Sequence, residues 1–222
     1  MEQFDHDKLL ITRLVLGQLD TNCYLLTDKD TQETIIVDPA DSAETIIDYL
    51  TQQKYQPTAI VLTHGHFDHV LGLLELKLAY DLPVFMHPDD AFLLKEAADS
   101  ARYWLKRSVD PVPTEHIPLT DQIELTIGKL KLNITPTPGH TPGSVCLAIA
   151  TKTDQESELV LCTGDTIFKD GLGRTDFSYS KPLALRASLE KLSSFPPSTP
   201  CYPGHGDCTT IGQALSILSK NP

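Results

Sequence analysis

His64-Gly65-His66-Phe67-Asp68-His69 places four metal-ligating side chains within six positions, directly after the apolar run 59–62. That run, with Pro57 ahead of it, reads as a short buried strand. If the backbone is still extended at His64 and His66, residues two apart point to the same side. Both imidazoles can then bind one metal ion. Asp68 and His69 fall in the turn that starts the next helix and can aim at a second ion. Gly65 leaves room for a tight backbone. A merely polar strand-to-helix loop does not need ligands at this density.

Working outward, the same arrangement recurs. Pro138-Gly139-His140-Thr141-Pro142-Gly143 sets a histidine in a stiff turn after a strand. Gly164-Asp165 puts an acid at another strand end, and Pro203-Gly204-His205-Gly206 repeats the proline-glycine-histidine order. Five of the eight histidines therefore sit at strand ends, where loops can converge. His6, His87 and His116 fit no such pattern and read as surface or locally hydrogen-bonded residues.

The rest of the chain supplies the elements. Strands are expected over 9–16, 23–27, 34–37, 59–62 and 83–86, then over 123–127, 130–135, 145–150, 159–162 and 200–202. Asp41 is expected to cap a helix, with Glu44 as its capping-box partner and Ala43, Ile46, Ile47 and Leu50 as the apolar stripe. Further helices are expected over 68–80, 88–107 with Tyr103 and Trp104 as bulky anchors, 183–192 and 211–218. Pro111, Pro113 and Pro118 predict a loop. Two strand-rich halves with interspersed helices imply a two-sheet core covered by helices. The segments 34–38 and 159–165 each run from an apolar strand to an aspartate, a hint of two related halves. No linker or low-complexity run divides the chain, so one domain over residues 1–222 is expected.

Composition narrows the function. At 222 residues the chain can bury a core without staples. Hydrophobic residues make up 41% and charged residues 22%, as in a globular protein. Eighteen basic against thirty acidic residues give a net charge of −12, which argues against nucleic-acid binding and against anionic membrane surfaces. Five scattered cysteines do not form a disulfide framework. The acidic N-terminus does not look like a signal peptide, and no stretch is long and apolar enough for a membrane helix. A cytoplasmic protein acting on a small molecule is expected. Gly-x-Ser-x-Gly is absent, and Gly171-Leu172-Gly173 lacks the third glycine of a dinucleotide fingerprint. Cys201 and Cys208 flank His205 with no common zinc spacing and read as packed or surface cysteines.

His-x-His-x-Asp-His, Pro-Gly-His-Thr-Pro-Gly, Gly-Asp and Pro-Gly-His-Gly, in that order, resemble the metallo-β-lactamase superfamily. Asn22-Cys23-Tyr24-Leu25 and Gly171-Leu172-Gly173-Arg174-Thr175-Asp176 make the chain similar to its glyoxalase II-like branch, including the short bacterial members. The likeness spans about residues 10 to 210. It implies an α+β fold, a four-layer αββα sandwich with a metal site at one edge. It also implies that His64, His66 and His140 hold one metal, that Asp68, His69 and His205 hold a second, and that Asp165 bridges them. Imidazoles and carboxylates suit zinc, iron or manganese, and two zinc ions are the expectation. Paired metals can share a hydroxide at neutral pH and stabilise a tetrahedral oxyanion. Asp68 can orient that hydroxide and shuttle a proton. Phe168 and Arg174 are the candidate substrate contacts. For Arg174 the alternative is an ion pair with Asp176, and for Phe67 and Phe168 it is core packing.

Within the superfamily, a bridging acid at Asp165 is not a feature of true metallo-β-lactamases, and a short acidic chain fits its nucleases badly. The resemblance therefore implies thioester hydrolysis of a hydroxyacylglutathione-like substrate. Only 17 residues follow His205, so the C-terminal helical extension of full-length glyoxalase II is not expected. Persulfide dioxygenases are similar in the same motifs and would hold one iron through His64, His140 and Asp165. Lactonases share all seven ligands. A non-catalytic binding module is disfavoured by the intact ligand set.

Overall fold

The computed structural model describes residues 1–151 and 159–216. Its first sheet takes strands in chain order: β1 (Glu2–His6), β2 (Leu9–Leu16), β3 (Thr21–Asp28), β4 (Glu33–Val37), β5 (Gln56–Val61), β6 (Val84–Met86) and β7 (Ile117–Pro118). β1 to β4 are antiparallel, and β4 to β7 are parallel. The parallel pairs are linked by helices: α1 (Ala43–Gln53) before β5, then α2 (Phe67–Val70) and α3 (Leu73–Tyr80) before β6, and α4 (Ala91–Leu105) before β7. The second sheet has the order β13-β12-β11-β10-β9-β8, with β8 (Leu125–Ile127), β9 (Leu130–Pro136), β10 (Val145–Ala150), β11 (Leu159–Gly164), β12 (Pro200–Pro203) and β13 (Thr209–Thr210). Here β11 and β12 are the parallel pair, joined through α5 (Pro182–Leu192). The last described helix is α6 (Ile211–Leu215).

Strand periodicity explains the layering. Successive side chains leave a strand on opposite faces, and both faces of these strands are apolar. Leu26, Ile35 and Val37 face the second sheet, where they meet Leu132, Ile134, Val145 and Leu147. Their neighbours Leu25 and Ile36 face outward and pack under Ile46 and Leu50 of α1, Leu73 and Leu76 of α3 and Leu94 of α4. On the far side, Cys146, Ala148 and Leu161 pack under Leu185, Leu189 and Leu192 of α5 and under Ile211 of α6. The result is the expected αββα sandwich. No helix among the described residues is long and apolar enough to cross a membrane.

Local departures have physical causes. The expected helix over 68–80 breaks at Leu71-Gly72, because the Gly72 amide donates to Ala40 O at 2.6 Å. A Cβ on Gly72 would lie 2.9 Å from Pro39 O, so the chain that leaves β4 passes against that break. The Asp41 capping box does not form. Ser42 precedes α1 in the left-handed region without a side-chain cap, while the Asp41 carboxylate takes its neighbour's amide and an ion pair from Arg107. Tyr103 and Trp104 are not anchors. They are 64% and 57% exposed, stacked edge-to-face on each other at the end of α4. The buried stripe of that helix is Leu93, Leu94, Ala97 and Ala101. Strands β1, β7 and β13 carried too few apolar residues to be read. The expected helix over 211–218 is seen to Leu215, and its residues 217 and 218 lie outside the described residues.

Candidate metal centre

One parallel pair from each sheet, β4–β5 and β11–β12, ends at the same edge. β4 delivers Asp38, β5 delivers Thr63 and His64, β11 delivers Asp165 and β12 delivers His205. His140 comes from the turn between β9 and β10. His66 lies just before α2, and Asp68 and His69 lie in it. All seven sequence-predicted ligands thus meet at one edge of the sandwich.

Six of them fall into two groups whose donor atoms converge, His64 with His66 and His140, and Asp68 with His69 and His205; Asp38 also converges with His64 and His69. In the first, His64 Nε2 and His140 Nε2 lie 3.1 and 3.0 Å from His66 Nδ1. The opposite ring nitrogens decide which of these carry lone pairs. His140 Nδ1 lies 2.9 Å from Arg174 O, a carbonyl that only accepts, so the proton is on Nδ1 and Nε2 is free to ligate. Thr63 Oγ1 donates to Asp38 Oδ2 at 2.6 Å and must therefore accept from His64 Nδ1. His66 Nε2 meets Tyr179 Oη at 2.8 Å. The first group is thus three imidazole nitrogens with no proton needed between them.

In the second group, Asp38 Oδ2 accepts from His69 Nδ1 at 2.9 Å, which turns His69 Nε2 inward. That atom lies 3.5 Å from both Asp68 Oδ2 and Asp165 Oδ1. His69 Nε2 and Asp165 Oδ1 are buried and have no hydrogen-bond partner among the described residues. Polar atoms buried this way without a partner are costly unless positive charge, a proton on His69 or a metal ion, sits among them. Leu19 O accepts from His205 Nδ1, and His205 Nε2 faces Asp68 Oδ2 at 3.1 Å. Thr21 Oγ1 donates to Asp68 Oδ2 at 3.1 Å. Asp165 Oδ2 lies 3.6 Å from His140 Nε2 and 3.7 Å from His205 Nε2, so this carboxylate reaches both groups. The donor set fits a pair of divalent metals.

The electrostatics follow the same division. Burial, reinforced by the surrounding imidazoles, pushes His64 well below the ordinary histidine range. Burial and His140 push His66 down to about 3. Burial alone would also lower His69, but Asp68, Asp165 and Asp38 together hold it up to about 10. His205 is likewise raised against its burial by Asp68 and Asp165. Burial opposes ionisation of Asp68, yet His69 and His205 hold its carboxyl well below the usual range. In one group His64 and His66 are pushed toward the neutral form, and the other is an anion-rich pocket that draws positive charge.

The remaining expectations are sorted by contact. Phe67 packs against the outer core. The Phe168 ring lies 6.3 Å from that of His205 and lines a cleft of about 510 Å³ with Gly171, Gly206 and Asp207. Arg174 pairs with Asp176 through two bonds of 2.9 and 2.8 Å and covers the Phe177 ring; its backbone carbonyl is what touches the site. His87 and His116 are locally bonded, to the Asp89 amide and Thr114 O, whereas His6 reaches across to Tyr202 of the second sheet. All five cysteines are free.

Sequence reading did not single out Asp38, Thr21, Tyr179 or Asp90. The apolar-strand-to-aspartate pattern of 34–38 was the available signal for Asp38. Asp90, just before α4, is buried and accepts from the Gly65 amide, the Gly143 amide and the Thr141 hydroxyl at 2.9, 2.7 and 2.7 Å. It ties the His64–His66 turn to the His140 turn.

Comparison with known proteins agrees with this geometry. The profile of the Metallo-beta-lactamase superfamily matches residues 16–205. The crystal structure of TTHA1623 in a di-iron-bound form superposes with a TM-score of 0.80 at 36% sequence identity, covering 91% of this chain and 96% of that one. The BLEG-1 B3 metallo-beta-lactamase superposes with a TM-score of 0.78 at 33% identity, covering 93% and 96%. Hydroxyacylglutathione hydrolase GloC of Haemophilus influenzae is 30% identical over 195 residues, 86% of this chain and 88% of that protein.

Proposed function

The chain belongs to the metallo-beta-lactamase superfamily, and from that membership we propose that it is a metal-dependent hydrolase of a small acyl thioester, of the hydroxyacylglutathione type. The observation that carries the reading is the second donor group. Asp165 reaches both groups, and its Oδ1 and His69 Nε2 are buried, 3.5 Å apart and without hydrogen-bond partners among the described residues. We assign His64, His66 and His140 to one ion, Asp68, His69 and His205 to another, and Asp165 to both. Zinc is our assignment, with iron the alternative that the di-iron form of TTHA1623 supports.

Two bound divalent ions supply Lewis acidity toward a carbonyl oxygen and acidify water. The chain's own residues do the positioning. Asp38, Thr63, Leu19 O and Arg174 O fix the imidazole tautomers. Asp68 stays ionised, held in place by the Thr21 hydroxyl. Its role in this reading is to orient the attacking water and shuttle a proton. No side-chain nucleophile is required. The cleft beside Phe168 and His205 is open enough for one arm of a small substrate.

The likeness to GloC supports a thioester substrate, and the likeness to BLEG-1 names the rival, a β-lactam. Metal-loaded protein assayed in parallel on a hydroxyacylglutathione, a lactone, a β-lactam and a persulfide with oxygen uptake separates the readings. The thioester is expected to give the largest kcat/KM. No thioester turnover, or persulfide-dependent oxygen uptake, refutes the assignment.

A further inference from the structure

Asn22, the first residue of the Asn-Cys-Tyr-Leu motif, lies on β3, in the sheet opposite the one that delivers His205. Its side chain is buried, at 1% exposure. Its Nδ2 donates to Pro203 O at 2.8 Å and to Gly206 O at 2.9 Å. Both acceptors are carbonyls, so only the NH2 end of the amide can face them. Those two carbonyls bracket His205 on either side. The Asn22 backbone N–H also donates to Gly204 O at 2.7 Å, and Thr21 bridges His205 through the backbone. Tyr24 Oη and Arg13 Nη1 add bonds of 2.7 Å to the same two carbonyls. The Gly204 amide donates to Gly164 O at 2.9 Å, while the Gly206 end of the turn is open: Gly206 is left-handed, at φ +71, and a Cβ there would meet nothing within 4 Å.

A second observation separates this amide from ordinary packing. Asn22 Oδ1 is buried and has no partner among the described residues. A buried unsatisfied acceptor costs stability. The residue therefore bears a cost at one end of its amide while presenting two donors at the other.

From this we infer that Asn22 is a positioning residue for the second metal: its two amide hydrogens hold the His205 turn of one sheet against the other, so that His205 Nε2 stays over Asp68 and Asp165. The inference rests on the reading of His205 as a ligand of the second ion. Asn22→Asp keeps the shape and removes both donors, putting a carboxylate against two carbonyls. Asn22→Ser keeps one donor and is the milder variant. Leu132→Ala, in the core between the sheets, destabilises the same interface without touching the turn.

The test titrates metal-stripped full-length protein with Co²⁺ alone, followed by visible absorption and chelator competition. Hydrogen–deuterium exchange of residues 204–208 is measured on the metal-free protein. For Asn22→Asp the first Co²⁺ equivalent is expected to bind within about threefold of the unsubstituted protein, and the second at least about tenfold more weakly, the range for groups that orient metal ligands. Exchange over 204–208 should be at least about tenfold faster in the same variant. Asn22→Ser should fall between, and Leu132→Ala should leave both affinities within about threefold. Equal weakening of both equivalents, or second-equivalent binding and exchange unchanged in Asn22→Asp, overturns the inference. If the unsubstituted protein takes up one equivalent only, the two-metal reading fails. Exchange at 204–208 then decides the positioning role alone, faster supporting it and unchanged refuting it. Should Asn22→Asp fail to fold, Asn22→Ser carries both readouts.

Discussion

A histidine that lends one nitrogen to a metal must have the other tied down, and here the ties are Asp38 on His69, Thr63 on His64, Arg174 O on His140 and Leu19 O on His205. Asp38 serves two of them, directly and through Thr63. Asp38→Asn should therefore weaken metal binding by about 10- to 100-fold, measured by chelator competition; an unchanged affinity would contradict that role. The same residues predict a pH profile for the metal-stripped protein. His69, held at about 10 against an ordinary 6.5, contributes stability that is complete below pH 6.5 and lost as the pH climbs toward 10. His66, pushed to about 3, is neutral when folded and protonated when unfolded between pH 3 and 6.5, so stability also falls as the pH drops through that window. Thermal melts should thus peak near pH 6.5. Metal loading, which needs the His69 lone pair, should remove the alkaline loss; the same loss with and without metal would count against the assignment. The ligands themselves were legible because each stands at a strand end beside glycine or a fixed turn. Their orienting partners were not: Leu19 and Arg174 act through backbone carbonyls, which carry no residue signature. Thr21 and Tyr179 are ordinary residues whose roles depend on packing from other elements.

At the scale of elements, the strands were readable wherever both faces are buried, as in 23–27 and 145–150, because the run is then continuously apolar. Three of the four edge strands, β1, β7 and β13, failed for the converse reason: β1 carries two acids in five residues on an exposed rim. The expected helix over 88–107 was right in place and wrong about its face. Period alone does not say which stripe packs, and the aromatic pair proved to be the exposed one. Trp104→Ala should accordingly change stability by no more than about 0.5 kcal/mol, whereas a loss of several kcal/mol in urea unfolding would restore it as an anchor. Turn elements carry the larger stakes. Gly139 sits at φ +145, and a Cβ there would fall 2.4 Å from the Leu185 backbone of α5. Gly139→Ala must displace either the helix or the His140 turn, at a cost of about 1–3 kcal/mol. Urea melts check the loss, and the first metal equivalent should weaken along with it.

For the whole molecule, two sheets back to back leave one edge where parallel strands of each half finish together, and the candidate centre lies across that edge. The net charge of −12 takes on a local meaning there, since Asp38, Asp68 and Asp165 gather against His69 and His205 and raise both imidazoles. Neither sheet carries a complete donor set. His64, His66, Asp68 and His69 follow the first sheet's strands, while His140, Asp165 and His205 follow the second's, so both groups draw on both halves. The central claim is that these seven residues hold two ions that act together on a thioester. Metal-stripped protein titrated with zinc, with the initial rate of hydroxyacylglutathione hydrolysis followed against zinc bound per chain, tests it most directly. The account predicts a rate that rises to a plateau at two equivalents; a plateau at one equivalent, or no hydrolysis at any loading, would contradict it.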